Sequence, residues 1–286
     1  PFRMEVIEPM RRTRIILDDN ESGITCDLTF SARTASIQEA RQTLWQGTRR
    51  AMDATRFDQF GRWSGVVNHP DGQIRVDESV CLGTKDRSWG VRWVGERETG
   101  GAPVIPDGIC FVWAPLIWDD HISHAIFFDG PKGEPLVREG LEAPLYQTEA
   151  EIPGVEDGLV ERKLTARHRI EYHPGTRLAK AAEIDLVNLD DGVRRIKLEP
   201  KLKFMMKGLG YGHPEWKQGA WKGELATGHE SFDPRQLDHQ APENIHTQQI
   251  VTATDGERQG VGVLEQIVVG PYEPAGFKGF FDGYSE

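Results

Sequence analysis

The sequence predicts an all-β fold, and three observations carry that prediction. Apolar and polar residues alternate with period two along most of the chain. Turn dipeptides separate these runs at short intervals, and helix signals are few. The 31 glycines and 17 prolines fall mostly between the strand-like runs, which suits a barrel or sandwich better than a βαβ sheet.

The elements follow in order. "TRIILDD" is the first strand-like run. "GITCDLTFSART" sets Ile24, Cys26, Leu28 and Phe30 on one face and Thr25, Asp27, Thr29 and Ser31 on the other. "SIQEARQTLWQGTRRAM" has room for two helical turns after Ser36, but it lacks a clean apolar stripe and Gly47 interrupts it. "GRWSGVVNHPDGQIRVD" is a hairpin around Pro70-Asp71-Gly72, where proline presets φ and glycine permits positive φ. "ICFVWAPLIW" and "HAIFFDG" form a second hairpin, bending at Asp119-Asp120. A third pair turns at Pro174-Gly175. "RIKLEPKLKFMMKG" continues the pattern, and the last pair turns at Asp255-Gly256. A polar, Pro-rich stretch from Gly130 ends in "GVEDG" (Gly154–Gly158), so the expected domains are 1–153 and 154–286.

Composition narrows the function. A net charge of −11 repels phosphate backbones, and the basic residues (Arg11, Arg12, Arg49, Arg50, Arg194, Arg195) form no stripe, so nucleic acid is not an expected partner. No apolar run approaches ~18 residues, so no transmembrane segment is expected. Cys26, Cys81 and Cys110 are an odd, unclustered set that suits neither a disulfide framework nor a zinc site. With no secretory leader visible, a cytoplasmic location is the expectation. Gly-x-Ser-x-Gly, Walker, dinucleotide and Cys-x-x-Cys motifs are absent, so no cofactor is expected.

The stretch "GTKDRSWGVRWVG" (Gly83–Gly95) concentrates chemistry: Asp86, Arg87, Ser88, Trp89 and Arg92 lie between glycines. On a strand Asp86 and Ser88 share one face, and Arg87 and Trp89 share the other. With "TRFDQFGRWSG" upstream and "GYGHPEW" downstream, the Asp-x-Ser-Trp-Gly sequence resembles two-domain lipocalin-like proteins. That group includes carotenoid 1,2-hydratase-like, AttH-like and survival-factor-like proteins. Here Arg87 stands where several relatives carry His. The resemblance is strongest over Arg56–Arg92. It implies two lipocalin-like β-barrel domains packed together, with a pocket for a hydrophobic small molecule.

Asp86 is the first candidate catalytic residue, because an apolar lining raises a carboxyl pKa and makes it a proton donor. The alternative is an ion pair with Arg92 or Arg62 that ties strands together. His121 and His213 are candidate partners. "VWAPLIWDDHISHAIFF" places His121 and His124 near Asp119 and Asp120, where a metal reading competes with a hydrogen-bonded barrel rim. His168, Glu171, Tyr172 and His173 offer another strand-borne group. "GLGYGHPEWKQGAWKGEL" (Gly208–Leu225) alternates glycines with rings. Arg62, Trp63, Trp89, Arg92, Trp113, Trp118, Tyr211 and Trp216 are the candidate substrate-binding residues, with Glu215 beside them. The indoles can stabilise developing positive charge. The expected function is a cofactor-free enzyme performing hydration, dehydration, isomerisation or cyclisation on a hydrophobic small molecule. The alternative is a non-catalytic carrier of a lipophilic ligand. The reading leaves room for a homodimer.

Overall fold

The computed structural model of the chain describes residues 1–46, 48–92, 108–154, 159–190, 192–209, 211–217 and 219–285. Residues 93–95 of the tryptophan-rich stretch, 155–158 of the expected boundary, Gly47 and Gly210 lie outside the described residues. The protein is all-β: among the described residues there are strands and four single-turn 3-10 segments, with no α-helix.

The chain divides into two compact units. One comprises Pro1–Trp93, Ala143–Val160 and Lys222–Phe232. The other comprises Val94–Glu142, Glu161–Trp221 and Asp233–Glu286.

The first unit holds an eight-stranded sheet: β1 (Phe2–Glu8), β2 (Arg12–Leu17), β3 (Thr25–Ala32), β4 (Ile37–Gln38), β5 (Gln42–Gln46), β6 (Arg49–His69), β7 (Gly72–Val76) and β8 (Leu82–Val91). β6 is the organiser. One of its edges pairs with β5, β4 and β3, and the other with β8 and β7, all antiparallel. Alternation along β6 and β8 gives the sheet two chemically distinct faces. Phe30 and Trp63 pack edge-to-face at 5.3 Å on one side. They join Ala32, Ala35 and Ile152 in a core. Asp58 and Asp86, opposite each other in the β6–β8 register, belong to the other side.

Two glycines of β8 are dictated by close approach. Gly90 has φ +133°, and a Cβ there would stand 2.1 Å from the Asp53 carbonyl oxygen. A Cβ on Gly83 would stand 2.2 Å from Trp63 Nε1, so its absence lets the indole lie against β8.

The second unit is a nine-stranded antiparallel sheet: β9 (Ile109–Ile117), β10 (His121–Asp129), β11 (Pro135–Pro144), β12 (Glu161–Arg162), β13 (Thr165–Tyr172), β14 (Ala179–Asn188), β15 (Gly192–Met205), β16 (Thr247–Thr254) and β17 (Gln259–Val269). The order is β12-β11-β10-β9-β17-β16-β15-β14-β13. Val112, Leu116, Phe127, Ile184, Leu186 and Leu264 anchor its core. Phe111, Trp113 and Ile126 form a second cluster. β9 and β10 are buried almost throughout, which explains why their sequences read as nearly continuous apolar runs.

The hairpins expected at Asp71-Gly72, Asp119-Asp120, Pro174-Gly175 and Asp255-Gly256 are present. The segment after Ser36 is not helical: it forms β4, β5 and the start of β6. With no helical apolar stripe to compete, pairing of Gln42–Gln46 with β6 satisfies its backbone groups. β1 adds a strand ahead of "TRIILDD" that the sequence reading did not single out.

Candidate functional site

In the first unit the sheet register gathers three carboxyls around one guanidinium. Asp58 on β6 faces Asp86 on β8 and, on its other side, Ile37 on β4. Glu39 follows β4, held by its backbone N–H donating to the Arg56 carbonyl at 3.0 Å. Arg56 reaches Asp86 at 3.3 Å and Glu39 at 3.5 Å. Asp58 and Glu39 are buried, at 0% and 2% exposure, whereas the Asp86 side chain is 41% exposed.

Burial is the first cause that pushes the Asp58 carboxyl well above its ordinary pKa. The charge of Glu39, a hydrogen bond to Glu39 and the charge of Asp86 add to it, and Arg56 opposes them. The surroundings of Asp58 therefore favour its protonated form over its charged one. Two buried carboxyls sharing one proton can give it up from one oxygen and take one back on another.

The remaining candidates of this unit take different positions. Trp89 is 52% exposed and packs edge-on against Phe57 at 6.0 Å, on the face opposite Asp86. Arg92 donates to Ser88 Oγ at 2.8 Å. Arg62 is half-buried opposite Leu82.

In the second unit Trp118, His121, Ser123, Glu142 and Arg194 form one network. Trp118 Nε1 donates to Ser123 Oγ at 3.0 Å, and Ser123 Oγ donates to Glu142 at 3.0 Å. The His121 ring stacks on Trp118 at 5.7 Å, and the Arg194 guanidinium sits 4.7 Å from the Trp118 centroid. Arg194 can only donate, so His121 Nε2, 3.0 Å away, accepts, and Nδ1–H is directed to Asp120. Burial works to raise the Glu142 carboxyl, but Lys163 and Arg194 more than reverse it and hold it below the usual range. His121 and His124 point to opposite faces of β10, so the pair cannot share an ion.

His124 is buried, with its ring edge-on to Trp113 at 5.0 Å. His213 is buried in a turn, where its Nδ1 accepts from the backbone N–H groups of Glu215 and Trp216 at 3.1 and 3.0 Å. Tyr211 packs edge-on to His246 at 5.1 Å, and His246 Nε2 meets Glu265 at 2.8 Å. His168 Nε2 contacts the buried Asp129 carboxylate at 2.8 Å. Tyr272 donates to the same oxygen at 3.1 Å. Beside them burial, then the Asp129 charge, pushes the Cys110 thiol up to about 12, which makes it inert at neutral pH.

The sequence reading missed Asp58, Glu39, His246 and Glu265. An acid between Phe57 and Phe60, in "TRFDQF", was the available signal for Asp58. Glu39 lay in the stretch read as helical.

A family model described as "Family of unknown function (DUF8625)" matches residues 1–278. No curated protein matches the chain. Among solved structures it is similar to an AttH-like protein from Nitrosomonas europaea, with 14% identity and a TM-score of 0.53 over 89% of this chain and 64% of that one. It is also similar to kievitone hydratase from Nectria haematococca (13%, TM-score 0.45, 89% and 64%) and to CghA (10%, TM-score 0.47, 90% and 64%). The AttH-like structure shows the shared fold. The chain spans 64% of the length of these solved proteins.

Proposed function

We propose that this chain, which belongs to the DUF8625 family, is an enzyme that protonates an apolar small molecule, with Asp58 as the acid. The observation that carries the reading is a carboxyl with no solvent exposure, Asp58, set beside a second buried carboxyl, Glu39, an arrangement that raises its pKa. A structural strut has no use for a retained proton, and an ion pair at this position would lower the pKa.

The proton leaves Asp58 for an alkene, enol or carbonyl of the substrate. The resulting carbocation or oxocarbenium ion adds water and then loses a proton, loses a different proton directly, or closes a ring and then loses a proton; in each case the Asp58–Glu39 carboxyl pair takes that proton back. These outcomes are hydration, isomerisation and cyclisation, the reactions of lyases and isomerases. Arg56 offsets the charge left on the carboxyl pair, and Asp86 tunes the pair from its outer side. None of these steps requires a cofactor.

A panel of lipophilic alkenes, enones and allylic alcohols incubated with the protein in heavy water tests this. Deuterium at carbon, read by mass spectrometry, is expected with the wild type. It should fall ~100-fold or more with Asp58→Asn, the scale of general acid–base catalysis. Equal incorporation by both proteins would remove Asp58 from the chemistry. The carrier reading is favoured by one observation, the apolar side chains Met4 and Ile74 that the eight-stranded sheet leaves exposed on one face, and it requires no titratable carboxyl.

A further inference from the structure

Lys85 lies on that apolar face, opposite Gln59 in the β6–β8 register and away from Asp58. Its ammonium stands 5.4 Å from the Phe30 ring centroid and 5.8 Å from that of Phe57. Among the described residues no carboxylate pairs with the Lys85 ammonium and no side-chain hydrogen bond reaches it; the two rings are its aromatic contacts. Arg87, two residues along the same face, also has no ion pair among the described residues. A half-buried lysine normally finds a carboxylate or keeps its head in water. Burial, then the charge of Arg87, lowers the Lys85 amine to about 8, so it remains largely protonated at neutral pH.

The face leading away from Lys85 is apolar across successive strands. From Phe30 it continues through Leu28 to Ile15 and Met4, which oppose one another in register. In the neighbouring row Val67 opposes Ile74, and Met4 and Ile74 are 61% and 54% exposed. The reverse face of the same strands is charged, with Arg14 bound to Asp27. From β1 to β7 the stripe crosses four strand gaps of about 4.8 Å, about 19 Å in all. The stripe is covered at Phe30, half-buried at Leu28 and Ile15 and open at Met4 and Ile74. An apolar stripe that opens in this way marks a binding surface, and two cations without ion pairs at its inner end fix the charge of what it binds.

We infer that this face binds a long-chain carboxylic acid, with the acyl chain along Leu28, Ile15 and Met4 and the carboxylate on Lys85 between Phe30 and Phe57. The ligand supplies the counter-ion that the described residues do not. The site is independent of the proton donor, because Asp58 points from the opposite face of β6.

The test uses the full chain loaded with the neutral fluorophore N-phenyl-1-naphthylamine and displaced by dodecanoic acid, 1-dodecanol or dodecylamine at pH 7. Dodecanoic acid is expected to displace the fluorophore at a concentration at least ~10-fold lower than dodecanol, and dodecylamine is expected to be weakest. Lys85→Met should erase the acid-over-alcohol preference while the fluorophore still binds. Lys85→Arg, which keeps the charge, should retain the preference. Raising the pH well above 8 should shrink it in the wild type, as the amine loses its proton. Equal displacement by acid and alcohol, no displacement by the acid, or an intact preference in Lys85→Met would overturn the inference.

Discussion

Asp58 and Asp86 stand directly opposite each other across β6 and β8, and Arg56, two residues from Asp58, bridges from Asp86 to Glu39. The outer acid is half in solvent and ion-paired; the inner acid is buried, and burial pushes its pKa well up. The Asp-x-Ser-Trp-Gly stretch therefore presents its carboxylate to a second carboxyl that lies 28 residues earlier in the chain.

Asp86→Asn removes a charge that helps to raise the Asp58 pKa. The Asp58 pKa should fall, and the alkaline limb of any activity profile should move to lower pH. Stability should change by less than ~1 kcal/mol, because the pair with Arg56 is 41% exposed on the aspartate side and Arg56 keeps Glu39 as a partner. Urea melts and a pH titration of the variant check both statements. A loss of several kcal/mol would make Asp86 a buried strut instead.

Asp58→Asn should flatten the pH dependence of stability. The folded pKa of Asp58 lies above the ~3.9 of an unfolded aspartate, so the folded state holds the proton more tightly. The stabilisation from this group is full below ~3.9 and declines as the pH rises through the folded pKa. Asparagine cannot ionise, so the variant should gain thermal stability relative to wild type on going from acid to neutral pH. Parallel melting curves for the two proteins across that range would refute the assignment.

Gly90→Ala should destabilise the first unit by about 2 kcal/mol or more, where an unstrained Gly-to-Ala change in a strand would stabilise it by up to ~1 kcal/mol. The new Cβ meets the Asp53 carbonyl oxygen, and φ +133° is strained for alanine. Chemical denaturation measures it. A neutral effect would mean that β8 can shift away from β6.

Much of the fold was legible because strand alternation and turn chemistry are local. Leu28 and Phe30 alternate with Asp27 and Thr29, and Asp71-Gly72 and Asp255-Gly256 mark hairpins that formed. Counting back from the second turn even sets Gln248 opposite Glu265. The acid pair was not legible, because it depends on which stretch of the long β6 meets β4 and which meets β8. Neither register is fixed by a tight turn: β4 and β6 are separated by β5, and β8 is reached through β7. Glu39 was harder still. It follows a two-residue strand that carries no alternation, and only pairing of that strand with β6 makes the stretch extended.

The protonation of Asp58 at neutral pH can be read directly from the infrared C=O stretch of a carboxylic acid, which is separate from the carboxylate bands. The account predicts a protonated-carboxyl band that persists in the wild type at pH 7, disappears in Asp58→Asn and survives in Asp86→Asn with a lower titration midpoint. The absence of any such band at pH 7, or a band unchanged by Asp58→Asn, would contradict the claim that Asp58 is the proton donor.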